Sequence, residues 1–253
     1  MQLPVNSFKA ALRDQNHQLG LWLTIGGNTV AEMLGGAGFD WVLVDCEHSA
    51  IETVEVLPAL QALAAHPEVS AIVRPAGNDP VLIKRVLDMG AQTLLIPYVE
   101  TKEQAEAAVS AMRYGPSGIR GMAGMTRATR YGKVENYFTT VEQELCLVLQ
   151  VETVAGLAAL EEIAGTDGVD AVFFGPADLS ASMGHPGEMS HPEVVAAIED
   201  GLARLQRIGV PAGVMALHLE EAKRYAEKGS CFTAVGVDLV MLVDALKDLR
   251  AAF

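Results

Sequence analysis

Short apolar runs rich in β-branched residues alternate with longer helical patterns along the whole chain. This alternation predicts βα units arranged around a parallel sheet. No stretch resembles an interdomain linker, so residues 1–253 are expected to form a single domain. Eight strands are predicted, over residues 21–25, 41–45, 71–74, 93–97, 145–151, 171–174, 211–215 and 232–235.

Two of the intervening helices carry clear start signals. Ser49-Ala-Ile-Glu52 has the pattern of a capping box that opens a helix over residues 51–65, and Pro192 lies near the start of an amphipathic helix that runs to about Ile208. Eight strand and helix pairs predict a closed (β/α)8 TIM barrel. A doubly wound open sheet is the alternative, but Gly26-Gly27-Asn28 does not complete the GxGxxG fingerprint, and no nucleotide cofactor is expected.

The composition narrows the class of partner. A net charge of -14 repels polyanions, which argues against nucleic-acid or anionic-membrane binding and favours a small-molecule partner. The chain has neither a signal-peptide core nor an apolar run of about 18 residues. Three widely spaced cysteines do not form a disulfide framework or a CxxC metal site. We therefore expect a soluble cytoplasmic protein.

One segment departs from the acidic background. Residues 113–133 are rich in glycine and contain no acidic residue but five basic ones, namely Arg113, Arg120, Arg127, Arg130 and Lys133. The favoured interpretation is a loop that pairs with acidic surface, including at a subunit contact. The alternative is a lid that attracts an anionic substrate.

Polar residues that follow the predicted strands indicate a metal site. The C-terminal ends of the strands carry the chemistry of (β/α)8 enzymes, and Glu152 and Asp178 follow adjacent strands there. Two carboxylates suit a hard divalent ion such as Mg²⁺, Mn²⁺ or Co²⁺ and leave positions open for a chelating substrate. The alternative is that each acid only complements a helix dipole.

Three further residues at the strand ends are candidates for the chemistry. Arg74 ends a buried strand and could bind a carboxylate or an enolate oxygen, with a surface salt bridge as its alternative role. His48 is the candidate for proton transfer, with Asp45 three residues earlier to orient it. Trp22 could line the pocket, although it could equally belong to the core.

Four strand-end motifs together resemble the HpcH/HpaI aldolase/citrate lyase family of metal-dependent pyruvate aldolases. They are Asp45-Cys46-Glu47-His48, Arg74-Pro75, Gln150-Val151-Glu152 and Gly175-Pro176-Ala177-Asp178-Leu179-Ser180. The resemblance implies that Glu152 and Asp178 bind the metal, that Arg74 contacts pyruvate-like oxygens, and that His48 acts with Asp45 in proton transfer. It also implies a pocket role for Gln150, and a carboxylate site at the backbone of Gly175, Pro176, Ala177 and Asp178.

The resemblance further implies a reaction and an assembly. The reaction would be reversible aldol cleavage of a 4-hydroxy-2-oxo acid to an aldehyde and pyruvate or hydroxypyruvate, through a metal-stabilised enolate. The assembly would be a homohexamer whose last helix, over residues 237–253, packs on or swaps with a neighbour, and Asp88 would approach an adjoining site. The broad apolar surface of that helix favours an oligomer independently.

Three alternatives to this reaction remain open. A Schiff-base aldolase would need a lysine at the barrel mouth, but no lysine ends a predicted strand. A lyase acting on citramalyl or malyl thioesters occurs in the wider family. A non-catalytic oligomer that binds keto acids is the third.

Overall fold

A computed structural model describes all 253 residues, and eight parallel strands close into a barrel in which β8 pairs with β1. The predicted (β/α)8 barrel is confirmed. The strands are β1 Gln18–Leu23, β2 Trp41–Asp45, β3 Ser70–Arg74, β4 Thr93–Ile96, β5 Cys146–Val151, β6 Ala171–Phe174, β7 Ala212–Met215 and β8 Phe232–Val237.

Helices surround the barrel in more pieces than the eight that the sequence predicts. Two helices follow each of β4, β5 and β6, and α1 precedes β1. No helix is both long and apolar enough to cross a membrane. The helices are α1 Ser7–Arg13, α2 Asn28–Gly35, α3 Thr53–Leu63, α4 Pro80–Asp88, α5 Lys102–Met112, α6 Tyr137–Thr140, α7 Val154–Ala158, α8 Leu160–Ala164, α9 Pro176–Ser182, α10 Pro192–Ile208, α11 Leu219–Glu227 and α12 Asp238–Ala251, with a 3-10 turn at Val141–Gln143.

Two predicted boundaries are wrong for physical reasons. Strand β1 ends at Leu23 because the backbone N–H groups of Thr24 and Ile25 donate to the carboxylate of Asp238, at 2.8 and 3.0 Å, instead of continuing the sheet. The capping box of α3 lies one turn later than predicted, where the N–H of Glu52 donates to the side chain of Glu55 at 2.8 Å.

An aromatic cluster fills the N-terminal end of the barrel. Helix α1 places the fully buried Phe8 across that end, with its ring 6.3 Å from the ring of Trp41 and 5.3 Å from that of Phe232. Gly20 faces the indole of Trp41 so closely that a Cβ atom would overlap the ring. The barrel is therefore closed at this end, and its cavity opens only at the other.

The basic segment 113–133 lies on the closed N-terminal face, between the end of α5 and the start of β5. Arg113 pairs with Asp167 at 3.0 Å, and Arg120 pairs with Asp88 at 2.9 Å. Arg127 donates to carbonyl groups at the C-terminal ends of α3 and α4. The segment lies at the opposite end from the strand termini, so it is not a lid over the cavity of its own chain, and pairing with acidic groups is observed for Arg113 and Arg120.

Helix α12 covers almost none of its own barrel. Apart from Asp238, every residue of the helix is exposed. The exposed apolar side chains are Leu239, Val240, Met241, Leu242, Val243, Leu246 and Leu249, and Phe253 follows the helix. An exposed apolar surface of this extent indicates an interaction site.

Candidate active site

An open cavity of about 210 Å³ lies at the C-terminal ends of the strands. Its lining residues come from all parts of the chain and include every predicted site residue except Asp88. They are Trp22, Thr24, Asp45, His48, Arg74, Gln150, Glu152, Phe173, Gly175, Pro176, Ala177, Asp178, Met215 and Val237. No lysine is among them.

Arg74 and Asp45 form a buried bidentate ion pair at the floor of this cavity. They end the neighbouring strands β3 and β2 at paired positions of the sheet. Nε and Nη2 of Arg74 donate to the two carboxylate oxygens of Asp45 at 2.7 Å each, and the two side chains are 3% and 1% exposed. Charge-assisted bonds in this fork geometry fix the guanidinium plane.

The remaining faces of the Arg74 guanidinium meet three other side chains. Its carbon atom lies 4.2 Å from the centre of the Trp22 ring, a cation–π contact. Nη1 lies 2.7 Å from Oε2 of Glu47, without hydrogen-bond alignment, and donates to Gln150 Oε1 over 3.4 Å. Nη1 is thus the donor with the weakest hydrogen bond, and it is available to a ligand.

Glu152 is held at both oxygens of its carboxylate. Gln150 Nε2 donates to Oε2, and the backbone N–H of Tyr98 donates to Oε1 at 3.0 Å. Burial, together with the neighbouring carboxylates of Glu47 and Asp178, raises the pKa of Glu152 to about 8. A residue with a Cβ atom at Gly175 would overlap the Glu152 carboxylate, so glycine is needed there for close approach.

His48 and Asp178 lie at the exposed rim. The His48 side chain is 63% exposed, and its Nε2 is 3.9 Å from carboxylate oxygens of both Asp178 and Glu47. The expectation that Asp45 orients His48 is not met by the structure. Both Asp45 oxygens bind Arg74, and Oδ1 also accepts from the N–H of Glu47 at 3.0 Å.

The donor set fits a divalent cation. The carboxylates of Glu47 and Asp178 lie close enough to Glu152 to raise its pKa. The positive charge of Arg74 is already paired with Asp45. Burial also raises the pKa of Glu47, and Asp178 adds to this effect. Anionic oxygens in excess of positive charge are the environment that Mg²⁺ or Mn²⁺ prefers.

Sequence reasoning gave no role to two residues of the site. Glu47 contacts Arg74 and faces His48. The sequence signal that could have identified it is its position two residues after Asp45, within Asp45-Cys46-Glu47-His48. Thr24 lines the cavity but follows a strand that was predicted to continue past it. Its partner Asp238 is distant in sequence, so no local pattern indicated the pair.

Asp88 lies away from the cavity of its own chain. It ends α4 on the N-terminal face of the barrel, where it binds Arg120. Any contact with an active site would therefore involve the cavity of another subunit.

A second group of potential metal ligands, His185, His191 and Glu193, lies at the start of α10. His185 Nε2 is 3.1 Å from the Glu193 carboxylate, and His191 Nδ1 accepts from the backbone N–H of Glu193 as the helix cap. The two imidazole rings stack face to face, with centroids 3.6 Å apart. Helix capping and ring stacking account for the positions of these side chains.

The sequence matches a known protein family over most of its length. A model described as HpcH/HpaI aldolase/citrate lyase matches residues 18–245. The chain belongs to this family. The predicted family is thus confirmed, together with the predicted class of carbon–carbon lyase.

Individual relatives agree with the family assignment over the full length of the chain. A pyruvate aldolase from Rhizobium etli is 55% identical, over 100% of this chain and 99% of the relative. A hydroxypyruvate/pyruvate aldolase from Sagittula stellata is 53% identical, over 99% of each. The crystal structure of a family member from Burkholderia cenocepacia superposes with a TM-score of 0.94 at 38% identity, covering 98% of this chain and 99% of that one.

Proposed function

We propose that this HpcH/HpaI family member catalyses reversible aldol cleavage of a 4-hydroxy-2-oxo acid, releasing an aldehyde and pyruvate or hydroxypyruvate. The observation that carries the proposal is the buried Arg74, fixed by Asp45 and facing a cavity rich in carboxylates. A preorganised cation suits a substrate that gains negative charge on oxygen as its carbon–carbon bond breaks. The names of the relatives in Rhizobium and Sagittula support this reaction.

Arg74 would bind the 2-oxo oxygen of the substrate. Asp45 occupies Nε and Nη2, so Nη1, which has a 3.4 Å hydrogen bond to Gln150 and an unaligned 2.7 Å contact with Glu47, is the donor that would bind a ligand. When the C3–C4 bond breaks, the electron pair moves to this oxygen and forms an enolate. A guanidinium that is already fixed stabilises that charge without reorganisation.

Glu152 and Asp178 would hold a divalent cation, for which Mg²⁺, Mn²⁺ and Co²⁺ are the candidates. When bound there, the cation supplies electrostatic stabilisation for the charge that develops on the substrate oxygen. Gln150 and the N–H of Tyr98 orient the Glu152 carboxylate for this role. Asp178 lies in the first turn of α9 and reaches the cavity from its rim.

His48 would transfer the proton of the substrate 4-hydroxyl. It takes this proton as the C3–C4 bond breaks, and it returns the proton to the aldehyde oxygen in the direction of synthesis. Its Nε2 lies 3.9 Å from carboxylate oxygens of both Asp178 and Glu47, at the rim where the 4-hydroxyl group would lie. The enolate accepts a proton at C3 and becomes the released keto acid.

The turn from Gly175 to Asp178 would receive the substrate carboxylate. Gly175, Pro176 and Ala177 line the cavity where α9 begins. The first N–H groups of a helix have no carbonyl partner within the helix. Pro176 is a proline and has no backbone N–H to donate. Ala177 and Asp178 therefore supply the available donors.

We also propose that the protein is a cytoplasmic homo-oligomer, most simply a hexamer. The exposed apolar surface of α12 is explained if this helix packs on a second copy of the chain. In such an assembly Asp88 could approach the cavity of a neighbour, since it is remote from its own. The three free cysteines are compatible with a reducing compartment.

A pyruvate-release assay tests the reaction directly. The protein would be incubated with a panel of 4-hydroxy-2-oxo acids and each divalent metal, and keto acid would be measured with a coupled dehydrogenase. We expect metal-dependent release of keto acid. Binding of keto acids without turnover across the panel would instead identify a non-catalytic protein, and selective cleavage of thioester substrates would identify the wider family's other lyase activity.

A further inference from the structure

The carboxylate of Asp238 is saturated with hydrogen bonds. It lies at the first position of α12, is 7% exposed, and accepts from four donors. The N–H and the hydroxyl of Thr24 donate to Oδ1 at 2.8 and 2.6 Å, the N–H of Leu239 donates to Oδ1 at 2.8 Å, and the N–H of Ile25 donates to Oδ2 at 3.0 Å. This network fixes the chain directly after β1.

The network also determines which hydrogen bonds the Thr24 hydroxyl can form with a ligand. An ionised carboxylate only accepts hydrogen bonds, so the single hydroxyl proton of Thr24 is committed to Asp238. No protein group donates to Thr24 Oγ1 in the structure. Thr24 Oγ1 therefore has free lone pairs but no proton left to donate. It can accept a hydrogen bond from a ligand, but it cannot donate one to a carbonyl group.

Thr24 lies in the apolar part of the cavity lining. The charged and amide side chains there belong to Asp45, His48, Arg74, Gln150, Glu152 and Asp178, whereas Trp22, Phe173, Met215 and Val237 form an apolar wall. Thr24 is the only hydroxyl-bearing residue among the lining residues. A substrate hydroxyl on this side of the cavity would find one acceptor, and a methyl group in its place would leave that acceptor unpaired.

We propose that Thr24 is a specificity-determining residue that selects substrates with a hydroxyl group on, or next to, one of the reacting carbons, and that Asp238 sets this preference by holding the Thr24 proton. The inference rests on the proposed aldol reaction. The hydroxyl could belong to C3 of hydroxypyruvate or to C2 of the aldehyde, and both present the same O–H donor.

Matched substrates distinguish the two sources. In the direction of synthesis, hydroxypyruvate is compared with pyruvate, and glycolaldehyde is compared with propionaldehyde, which has a methyl group in place of the hydroxyl. The ratio of kcat/KM within each pair gives the substrate preference. It is measured for the wild type, for Thr24→Val and for Thr24→Ser. The valine variant keeps the shape of the side chain, and the serine variant keeps the hydroxyl group. We expect Thr24→Val to reduce the kcat/KM preference about threefold to tenfold for one of the two pairs, and Thr24→Ser to retain it.

A binding measurement separates this inference from the proposed reaction. Calorimetric titration with hydroxypyruvate and with pyruvate, in excess Mg²⁺, compares the binding of the first pair without any turnover. Competition by glycolaldehyde and by propionaldehyde in the same titration compares the binding of the second pair. If the wild type cleaves no substrate, the proposed function fails, while the binding ratios still test Thr24. Unchanged preferences in Thr24→Val for both pairs would overturn the proposal, and Thr24→Ala serves if the valine variant does not fold.

Discussion

Arg74 and Asp45 occupy paired positions on β3 and β2 and share two hydrogen bonds of 2.7 Å in a nearly solvent-free site. The carboxylate of Asp45 is therefore hydrogen-bonded to the arginine, and no hydrogen bond joins it to His48, three residues further along the chain. This relationship places the positive charge of the cavity at a fixed point and leaves Nη1, next to Glu47 and Gln150, as the terminal nitrogen that Asp45 does not occupy. The first prediction follows from it.

Replacing Arg74 by lysine should lower kcat/KM roughly 100-fold although the charge is kept, because one ammonium group cannot bind Asp45 through two parallel bonds and also reach the substrate. Steady-state kinetics with the best substrate of the panel measures this. Arg204→Lys is the control, since Arg204 forms its ion pair with Glu161 on the outer surface. Near-wild-type kinetics for Arg74→Lys would mean that Arg74 is structural.

Removing divalent metal should abolish turnover, and Mg²⁺, Mn²⁺ or Co²⁺ should restore it, because the inferred ligands are carboxylates. Asp178→Ala should fold normally, since the Asp178 side chain is 41% exposed, yet should not recover activity with any ion. Melting curves and metal-titrated assays test both statements. Full turnover in excess EDTA after dialysis would exclude a required metal.

The apparent affinity for Mg²⁺ should rise with pH and level off above about pH 8. Burial raises the pKa of Glu152 to about 8, so the ligand is mostly protonated at neutral pH and must lose its proton when the cation binds. Below that pKa the affinity should change by up to about tenfold per pH unit. Calorimetry in buffers of different ionisation enthalpy should detect the released proton, and an affinity that does not depend on pH would contradict the assignment.

The same shift predicts the stability of the metal-free protein. The folded state keeps the Glu152 proton up to about pH 8, whereas the unfolded chain loses it near the ordinary value of 4.5. Between these values the folded state binds more protons, so the contribution of Glu152 to stability should decrease as pH rises and become constant above pH 8. Melting temperatures of wild type and Glu152→Gln across this range isolate the contribution, and parallel curves would refute it.

Borohydride reduction in the presence of pyruvate should leave the protein mass unchanged. No lysine lines the cavity, so no imine is expected to form there. Intact-mass spectrometry after reduction, with an unrelated Schiff-base aldolase as the positive control, makes the test. A pyruvate adduct on any lysine would overturn the mechanism.

Replacing Leu246 and Leu249 together by glutamate should lower the oligomeric order, because both side chains belong to the exposed apolar surface of α12. Lys247→Glu changes the net charge by the same amount and is the matched control, since Lys247 pairs only with Asp244 within the helix. Light scattering gives the masses. A mass near 26.8 kDa for the intact protein at micromolar concentration would show that α12 does not mediate assembly.

The sequence was sufficient for the barrel and for most of the cavity lining, because both depend on local patterns. Alternating strand and helix signals place Asp45, Arg74 and Glu152 at strand ends, and the topology of a barrel brings such ends together. The pairing among these side chains could not be derived in the same way. Whether Asp45 faces Arg74 or His48 depends on side-chain direction and on strand register, which local patterns do not specify.

Contacts between distant segments account for the other differences. Asp238 ends β1 by taking the N–H groups of Thr24 and Ile25, and no feature near residue 24 indicates a partner in the last helix. The basic segment 113–133 suggested a lid from its charge alone. Its position follows instead from chain direction, since a segment that leads from a helix into a barrel strand lies on the N-terminal face.

Phe8 closes one end of the barrel, and this has a kinetic consequence. A cavity with a single opening forces both cleavage products to leave by the same route. In the proposed reaction the keto acid would bind at the floor, where Arg74 is 3% exposed, whereas the aldehyde would form nearer the rim beside the exposed His48. The aldehyde should therefore leave first and the keto acid last, which makes pyruvate a competitive product inhibitor against the hydroxy-oxo acid and the aldehyde a noncompetitive one.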